Sequence, residues 1–481
     1  MPGPTLRIRD LDSPALADDA QVEIRGWISP FANAPDDRYF ALIDSAPCCI
    51  GCLPRAPERR VEVFAETPIA PSGRRVRLKG LLRRLLDDAA GWRYQLRDAR
   101  LVDVDDEEGG NFTRRRVLHL GTLAGAAAAA GLAGCAAAPS ASPPPPASSV
   151  TPAQGRAAIE GQPTVDVHSH AGGVSGFNRV SSDGPFVPMA APMREGGMAV
   201  LCLAIVSDSP VHRVMADRRI HPFREPAPGE LYAYGQRSFQ RMHALAQAQG
   251  LAIVANAADL AAARSERPSF VVSAEGADFL EGQIDRVDEA RERWTLRHLQ
   301  LTHYRVNELG DIQTEPPVHG GLTPFGAEVI RRCNSQGIVV DVAHGTFALV
   351  KQAAAVTTRP LVLSHTSLSQ RPSARSRLIS PDHARVIAET GGVIGIWPPA
   401  AIFPDLPALA AGMARMADVV GVDHVALGSD MRGLVGPSTF DSYRDLPLLS
   451  KALLERGFGV AEVRQLLGGN YLRVFGASVP S

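Results

Sequence analysis

The chain has 481 residues and a mass of 51.2 kDa, which corresponds to roughly two to four domains of ordinary size. Hydrophobic residues make up 45% of it and charged residues 21%, which excludes a wholly disordered chain. With 50 basic and 51 acidic residues, no overall field attracts nucleic acid or anionic lipid. Six cysteines exclude a disulfide-dense scaffold. All 13 histidines lie at or after His119, so imidazole chemistry belongs to the later part of the chain.

Residues 1–105 contain five segments typical of short strands, separated by Pro, Gly and Asp clusters: 21–28, 38–44, 60–65, 74–82 and 92–102. Five such strands predict a small closed β-barrel of the OB type, and the region resembles small bacterial OB-like domains of unknown function. Its CCIGC segment (48–52) lacks one ligand for a structural zinc site, so a redox or interaction role competes with an ordinary loop. The basic run RRVRLKGLLRR suggests nucleic-acid binding, but few aromatic side chains are available for stacking, and we expect none.

Residues 106–155 read as an acidic linker, an export-type segment and a Pro-rich tether. In 113–135, three arginines precede an apolar run that ends in Leu-Ala-Gly-Cys, which is typical of a twin-arginine signal with a lipoprotein box. Cys135 would then be lipidated. An Ala-rich helix is the alternative. Because the segment is internal, it indicates a non-Met start near residue 102, a gene fusion or an uncleaved anchor. Each predicts attachment to the cell-envelope membrane, with the later domain on the periplasmic side.

Residues 156–481 alternate short apolar runs with amphipathic stretches, which predicts a parallel sheet buried on both faces. Eight runs predict a (β/α)8 TIM-like barrel. The runs are 164–167, 198–206, 269–274, 299–302, 337–343, 361–364, 392–397 and 424–429.

Ionisable residues follow six of these eight runs. In a parallel barrel the carboxyl ends of all strands meet at one rim, where enzymes of this fold place their active site. Four histidines and one glutamate there would form a metal-ligand set, and nitrogen and carboxylate donors without thiolate suit zinc best. The residues that follow the six runs are His168 and His170, Glu275, His303, His344, His365 and Asp430.

The same region resembles the membrane (renal) dipeptidase family of zinc peptidases, within the amidohydrolase-like barrels. The resemblance covers about residues 163–477 and rests on ordered motifs that include DVHSH (166–170), LQLTHYRVNELGD (299–311), PLVLSHTS (360–367) and GVDHVALGSD (421–430). It implies zinc-dependent hydrolysis of dipeptides by a metal-bridged hydroxide. The alternatives are a related amidohydrolase acting on another small amide or lactone, and an envelope binding lipoprotein without catalysis.

By this resemblance, Glu275 would bridge two zinc ions. Two histidine pairs would complete the two sites, His168 with His170 and His344 with His365. Asp430 would position the hydroxide and carry its proton to the leaving amine, and His303 would stabilise the oxyanion. Arg377 would bind the substrate carboxylate, with Arg375 as the alternative. A dipeptide is the expected ligand, and a homodimer is compatible with the resemblance.

Two positions depart from the family pattern. The first motif usually reads His-x-Asp, whereas this chain has His168-x-His170. The imidazole makes one site more positive by a unit charge, which would retune the bridging water or favour a different metal. The later motif often reads GSDFDG, whereas this chain reads GSDMRG, with Arg432 in place of an acidic residue. Both differences bear on substrate identity.

Overall fold

A computed structural model describes residues 5–11, 13, 16–17, 20–30, 37–46, 59–85, 92–104, 150–174, 185–215, 219–369 and 376–479. The chain divides into two compact units, one in its N-terminal part and one that contains residues 150–481. The twin-arginine segment with Cys135, the CCIGC segment and Arg375 lie outside the described residues.

The N-terminal unit contains a closed five-stranded barrel, which confirms the predicted fold. Strand β2 pairs with both β3 and β5, and the order β2-β3-β4-β6-β5 closes on itself. Buried residues alternate along β2 and β5, as expected where one face of each strand lines a core. A short parallel strand, β1, adds to β2 and was not predicted. The strands are β1 Thr5–Arg7, β2 Ala20–Pro30, β3 Tyr39–Ile43, β4 Arg60–Ala65, β5 Arg75–Arg84 and β6 Tyr94–Val104.

The second unit is a closed parallel barrel whose eight strands overlap the eight predicted runs, so the predicted (β/α)8 class is confirmed. Neighbouring strands follow in chain order and the last pairings join the ends of the sheet. The barrel strands are β7 Val165–Ser169, β8 Val200–Val206, β12 Ser269–Glu275, β13 Leu296–Gln300, β14 Val339–Asp341, β15 Val362–Thr366, β16 Val393–Ile396 and β17 Val425–Leu427. Outside the barrel lie the hairpin β9 His212–Val214 and β10 Ile220–Pro222, and the short β11 Ala252–Ile253.

Helices pack around this barrel, and several begin where the sequence supplies a capping oxygen and an early proline. Thr323 and Ser380 accept hydrogen bonds from main-chain amides of α6 and α8, each of which begins with proline. The helices are α1 Pro152–Ile159, α2 Ala190–Gly196, α3 Glu230–Gln249, α4 Ala257–Ala262, α5 Asp285–Trp294, α6 Pro324–Gln336, α7 Phe347–Val356, α8 Pro381–Glu389, α9 Leu406–Val420, α10 Leu446–Glu455, α11 Val460–Arg464 and α12 Asn470–Ser478.

Alternate residues of most barrel strands enter two different cores. Along β8, Leu201 and Leu203 join the layer between strands and helices, whereas Val200 and Cys202 join a core that includes Tyr471 of α12. Both faces of the sheet are therefore buried, which explains why the strands read as continuous apolar runs. Within the described residues, no helix is both long and apolar enough to cross a bilayer.

Candidate active site

Glu275 is the centre of a buried cluster of four histidines at the carboxyl rim of the barrel. Its Oε1 lies 3.2 Å from Nε2 of His344 and 3.4 Å from Nε2 of both His168 and His365. Its Oε2 lies 3.1 Å from Nε2 of His170. All five side chains are at most 4% exposed. One carboxylate thus faces four imidazole nitrogens that come from three other strands.

The histidines form two close pairs. Nε2 of His168 and His170 are 3.1 Å apart, and Nε2 of His344 and His365 are 3.0 Å apart. Nδ1 of His170 donates to the carbonyl of Ala204, so Nε2 is the ring nitrogen that faces the cluster. Main-chain or hydroxyl partners on Nδ1 are the usual support of a metal-binding imidazole.

Asp430 reaches the first pair because the ends of β7 and β17 are joined. The Asp430 amide donates to the His168 carbonyl at 2.9 Å, and the His170 amide donates to the Met431 carbonyl at 3.0 Å. Asp430 Oδ1 then lies 3.4 Å from His170 Nε2 and 3.9 Å from His168 Nε2. Burial would lower the pKa of His170, but Glu275 and Asp430 raise it to about 10.

Two residues of this rim adopt left-handed backbone, with φ of 66° at His344 and 46° at Asp430. Left-handed backbone is uncommon for residues other than glycine, although asparagine, aspartate and histidine adopt it more often than most, and it costs on the order of 1–3 kcal/mol in a site residue. Surrounding structure must therefore hold His344 in place. Its carbonyl accepts a hydrogen bond from the Gln313 amide at 2.8 Å.

His303 also contacts Glu275, with its Nε2 3.2 Å from Oε2. Its Nδ1 donates to Asp208 Oδ1 at 2.7 Å, and the other oxygen of Asp208 accepts from the Tyr304 amide at 3.0 Å. His212 Nε2 lies 3.2 Å from Asp208 Oδ1. Burial would raise the pKa of Asp208, but His303 and His212 hold it well below its usual range.

Arg377 lies beside this cluster and is 6% exposed. Its guanidinium donates to Gln313 Oε1 at 2.8 Å and to the His365 carbonyl at 3.4 Å, and it lies 5.5 Å from the centre of the Trp397 ring. Neither hydrogen-bond acceptor carries a charge, and its buried Nε has no hydrogen-bond partner. Burial raises the pKa of the neighbouring Tyr304 hydroxyl to about 12.

The electrostatic balance favours neutral imidazoles at His344 and His365, opposite an ionised Glu275. Burial, followed by the charge of Arg377, lowers the pKa of His344 well below its usual value. Burial and the nearby His168 do the same for His365. Burial would raise the pKa of Glu275, but the surrounding histidines hold it well below its usual range. Neutral imidazole and ionised carboxylate are the forms that bind metal.

The donors present fit a divalent metal. Ligand nitrogens about 2.1 Å from a tetrahedral zinc ion lie roughly 3.4 Å from each other, close to the spacing within both histidine pairs. Nδ1 of His168 and of His344 is buried without a hydrogen-bond partner, so neither imidazole serves a fully satisfied hydrogen-bond network. Ligand atoms within 4.8 Å of one another occur in His168–His170–Asp430, His168–Glu275–His365, Glu275–His303–His344 and Asp208–His212–His303.

The structure thus brings together the seven residues that the sequence placed after apolar runs, and Arg377 lies beside them. Asp208, His212, Gln313 and Trp397 were missed. Asp208 carried a usable signal, since it follows the apolar run 198–206 by two positions. Two further histidines lie outside the cluster: His298 contacts Tyr471 and Asp341, and His424 contacts the Gly392 carbonyl.

A closed parallel barrel with a buried histidine–carboxylate cluster at its carboxyl rim defines the class: a TIM-like barrel protein with a candidate metal centre. The family model for membrane dipeptidase (peptidase family M19) matches residues 226–479, slightly more than half of the chain. The chain therefore belongs to this family. The match begins after His168 and His170, the pair that departs from the family pattern.

Curated relatives agree with this assignment. The chain is 32% identical over 194 residues to "Dipeptidase aclJ" of Aspergillus oryzae, a match that covers 38% of this chain and 45% of the relative. It is 31% identical over 188 residues to "Dipeptidase verJ" of Clonostachys rogersoniana, covering 38% and 48%. The chain thus spans about half the length of the curated relatives it matches.

Among solved structures, the probable dipeptidase PvdM from Pseudomonas aeruginosa matches with a TM-score of 0.57 at 18% identity, over 68% of this chain and 98% of that one. A metallo peptidase from Rhodobacter sphaeroides, liganded with a phosphinate mimic of the dipeptide L-Ala-D-Ala, matches with a TM-score of 0.54 at 20% identity, over 66% of this chain and 99% of that one. At these identities the likeness concerns the fold.

Proposed function

We propose that this protein is a metal-dependent dipeptidase that hydrolyses the peptide bond of a free dipeptide at the Glu275 cluster. The observation that carries the proposal is one ionised carboxylate in contact with two histidine pairs, each pair spaced for a shared ion. The relatives named dipeptidases, and the dipeptide mimic bound to a protein of the same fold, support the choice of substrate.

Arg377 supports a substrate with a free carboxylate. A guanidinium that is buried without a negatively charged direct contact is costly, and it is compensated when a carboxylate binds to it. The side chain lies beside His365, to whose carbonyl it donates. A substrate carboxylate held there would place the adjoining peptide bond over the cluster. Only one residue then fits between the bound carboxylate and the bond that is cleaved. This arrangement suits a dipeptide better than a longer peptide.

We assign roles to the chain's own groups as follows. When bound, a divalent metal lowers the pKa of water and polarises a carbonyl. Asp430, next to the first histidine pair, would take a proton from the attacking water and pass it to the leaving amine. His303, doubly protonated and with its Nδ1–H donating to Asp208, would donate from Nε2 to the developing oxyanion. His168, His170, Glu275, His344 and His365 would hold the metal.

Zinc, with two ions per chain bridged by Glu275, is the cofactor we propose. Five nitrogen and carboxylate donors exceed what one tetrahedral ion needs once a position is left open for substrate. Fully metallated protein should cleave some members of a panel of L-L and L-D dipeptides. If it cleaves none, the envelope-binding alternative is favoured; cleavage only of other small amides or lactones favours the related amidohydrolase.

We further propose that residues 106–155 join a small β-domain (1–105) to the catalytic domain (156–481) and anchor the protein to the cell-envelope membrane, with Cys135 as the lipid attachment site. The catalytic domain would then face the periplasm, and dipeptides would reach it without crossing the inner membrane. The order of basic flank, apolar run and Leu-Ala-Gly-Cys supports this proposal.

A further inference from the structure

A buried carboxylate behind His303 has no role in the reaction described so far. Asp208 is 0% exposed and follows β8, the strand that pairs with β12 and its Glu275. It is separated from His303 by 95 positions in the chain, yet the two side chains meet at 2.7 Å. The sequence motif around His303 contains no information about this partner.

Asp208 restricts His303 through one ring nitrogen. Because Nδ1 of His303 is bonded to Asp208, only Nε2 can face the cluster, where it lies 3.2 Å from Glu275 Oε2. The second oxygen of Asp208 accepts from the amide of Tyr304, the next residue in the chain. One carboxylate therefore holds both the imidazole and the backbone that carries it.

Aromatic neighbours limit the remaining rotation of this ring. The ring centres of Tyr304, His344 and His212 lie 4.6, 4.7 and 5.1 Å from that of His303, all at steep angles. Such packing restrains the tilt of an imidazole but does not select which nitrogen points inward, since both ring edges have similar shape. The hydrogen bond to Asp208 supplies that selection.

We propose that Asp208 is a positioning residue that fixes Nε2 of His303 toward the carbonyl oxygen of the bound substrate. The proposal rests on the dipeptidase function proposed above and adds a residue from outside the motifs that define the family resemblance. A hydrogen-bond donor stabilises an oxyanion only when it is already aimed at the position the oxygen will occupy, because no energy is then spent on reorganisation. Asp208 fixes the orientation of His303 Nε2 and contacts no reacting atom.

The same three side chains, Asp208, His212 and His303, also offer ligand atoms close enough for a metal ion. The geometry favours a hydrogen-bond anchor instead. The contact of 2.7 Å between His303 Nδ1 and Asp208 is a charge-assisted hydrogen-bond length, and the Tyr304 amide already occupies the other oxygen. An extra metal ion is thus an outcome that the experiment can detect.

Asp208→Asn is the informative change because it alters the acceptors and keeps the shape. Asparagine has one acceptor oxygen, and its amide group would face either the His303 Nδ1–H or the Tyr304 N–H, both of which are donors. We expect kcat for a free dipeptide to fall on the order of 10–100-fold, the usual range for such supporting residues, with KM and metal content near the wild-type values.

A double-mutant cycle with His303→Gln separates positioning from general stability. If Asp208 acts through His303, Asp208→Asn should cost nothing further in the His303→Gln background. Glu62→Gln is the matched control, because Glu62 is a buried carboxylate of the N-terminal barrel that contacts Tyr39 and Gln95. It should leave kcat within about twofold of wild type.

Three results would overturn the proposal: multiplicative losses in the double variant, an unchanged kcat in Asp208→Asn, or a stoichiometric loss of metal from that variant. The last would identify a metal ligand. Histidine-labelled NMR of the wild type supplies a test independent of turnover. A slowly exchanging Nδ1–H signal that vanishes in His303→Gln and Asp208→Asn is expected. If the wild type cleaves no dipeptide, this signal still reports the contact, so failure of the proposed function is distinguished from failure of the Asp208 contact.

Discussion

Nε2 of His344 and Nε2 of His365 lie 3.0 Å apart, although the two residues are 21 positions apart in the chain. Two unprotonated nitrogens repel at this distance unless a proton or a cation lies between them. Burial, reinforced by Arg377, holds the pKa of both imidazoles low, which disfavours the proton. A cation shared by the pair resolves the repulsion, and Glu275 Oε1 lies within 3.4 Å of both rings.

Glu275 should therefore control the binding of every metal ion in the cluster. Glu275→Gln removes the negative charge that both pairs face and should abolish binding of both ions, whereas His170→Ala should weaken mainly one. Elemental analysis of purified variants measures this. Glu281→Gln is the control, because Glu281 accepts hydrogen bonds from amides at the start of α3 and lies outside the cluster. Equal metal content in wild type and Glu275→Gln would refute a bridging role.

Arg377→Lys should raise KM or lower kcat/KM for free dipeptides by about 1–3 kcal/mol in apparent transition-state stabilisation, since lysine cannot form two parallel hydrogen bonds to a carboxylate. C-terminally amidated dipeptides should be poor wild-type substrates, and the substitution should matter little for them. Steady-state kinetics on acid and amide pairs measures both effects. Arg385→Lys, on an exposed face of α8, should behave as wild type. Equal wild-type turnover of the two forms would exclude Arg377 as the carboxylate-binding residue.

His170→Asp, which restores the usual family residue, should change metal preference. Carboxylate oxygen favours harder ions such as Mn²⁺ relative to Zn²⁺, whereas imidazole favours zinc. Competition between the two ions, followed by elemental analysis, should therefore show a lower zinc-to-manganese ratio in the variant. His319→Asp makes the same substitution at an exposed position and should leave the ratio unchanged. An identical ratio in all three proteins would mean that residue 170 does not bind metal.

Asp278 should make stability depend on pH. Burial, followed by the charge of Asp208, raises the pKa of Asp278 from 3.8 to about 7. Between these values the folded chain binds more protons than the unfolded chain, so this group lowers stability as pH rises from about 4 to 7. Asp278→Asn cannot ionise at this position. Its free energy of unfolding should therefore increase relative to that of wild type from pH 5 to pH 8. Denaturant titrations at both pH values measure the difference in free energy of unfolding between variant and wild type. A difference that is the same at pH 5 and pH 8 would contradict the prediction.

Cys135→Ser should abolish lipid attachment if the export-type segment functions as proposed. Cells that express the full chain are labelled with a radioactive fatty acid, and the wild-type protein should carry label whereas the variant should carry none. The variant should also leave the membrane fraction if no signal anchor remains. Cys52→Ser, in the CCIGC segment, is the control and should remain labelled. Label that persists in Cys135→Ser would place any lipid elsewhere.

The sequence by itself determined the architecture, because apolar runs of the right length, bounded by turn residues, can be buried on both faces only in a parallel sheet. The sequence also predicted site residues at the carboxyl rim. Glu275, His344 and Asp430 could be selected as site residues because the carboxyl ends of parallel strands converge, independently of the loop conformations. Strand β1 and the hairpin β9–β10 escaped prediction, since they are three residues long and carry little periodicity.

Only the tertiary structure decided which atoms meet. The pairing of Asp208 with His303 joins two loops from different strands, and no local pattern of charge or hydrophobicity encodes that contact. The left-handed backbone of His344 and Asp430 and the burial of Arg377 among neutral hydrogen-bond acceptors are likewise products of packing. Hydrophobic periodicity is local and fixes the strands, whereas hydrogen-bond direction between distant side chains depends on how the strands twist and close, which is set only when the barrel is complete.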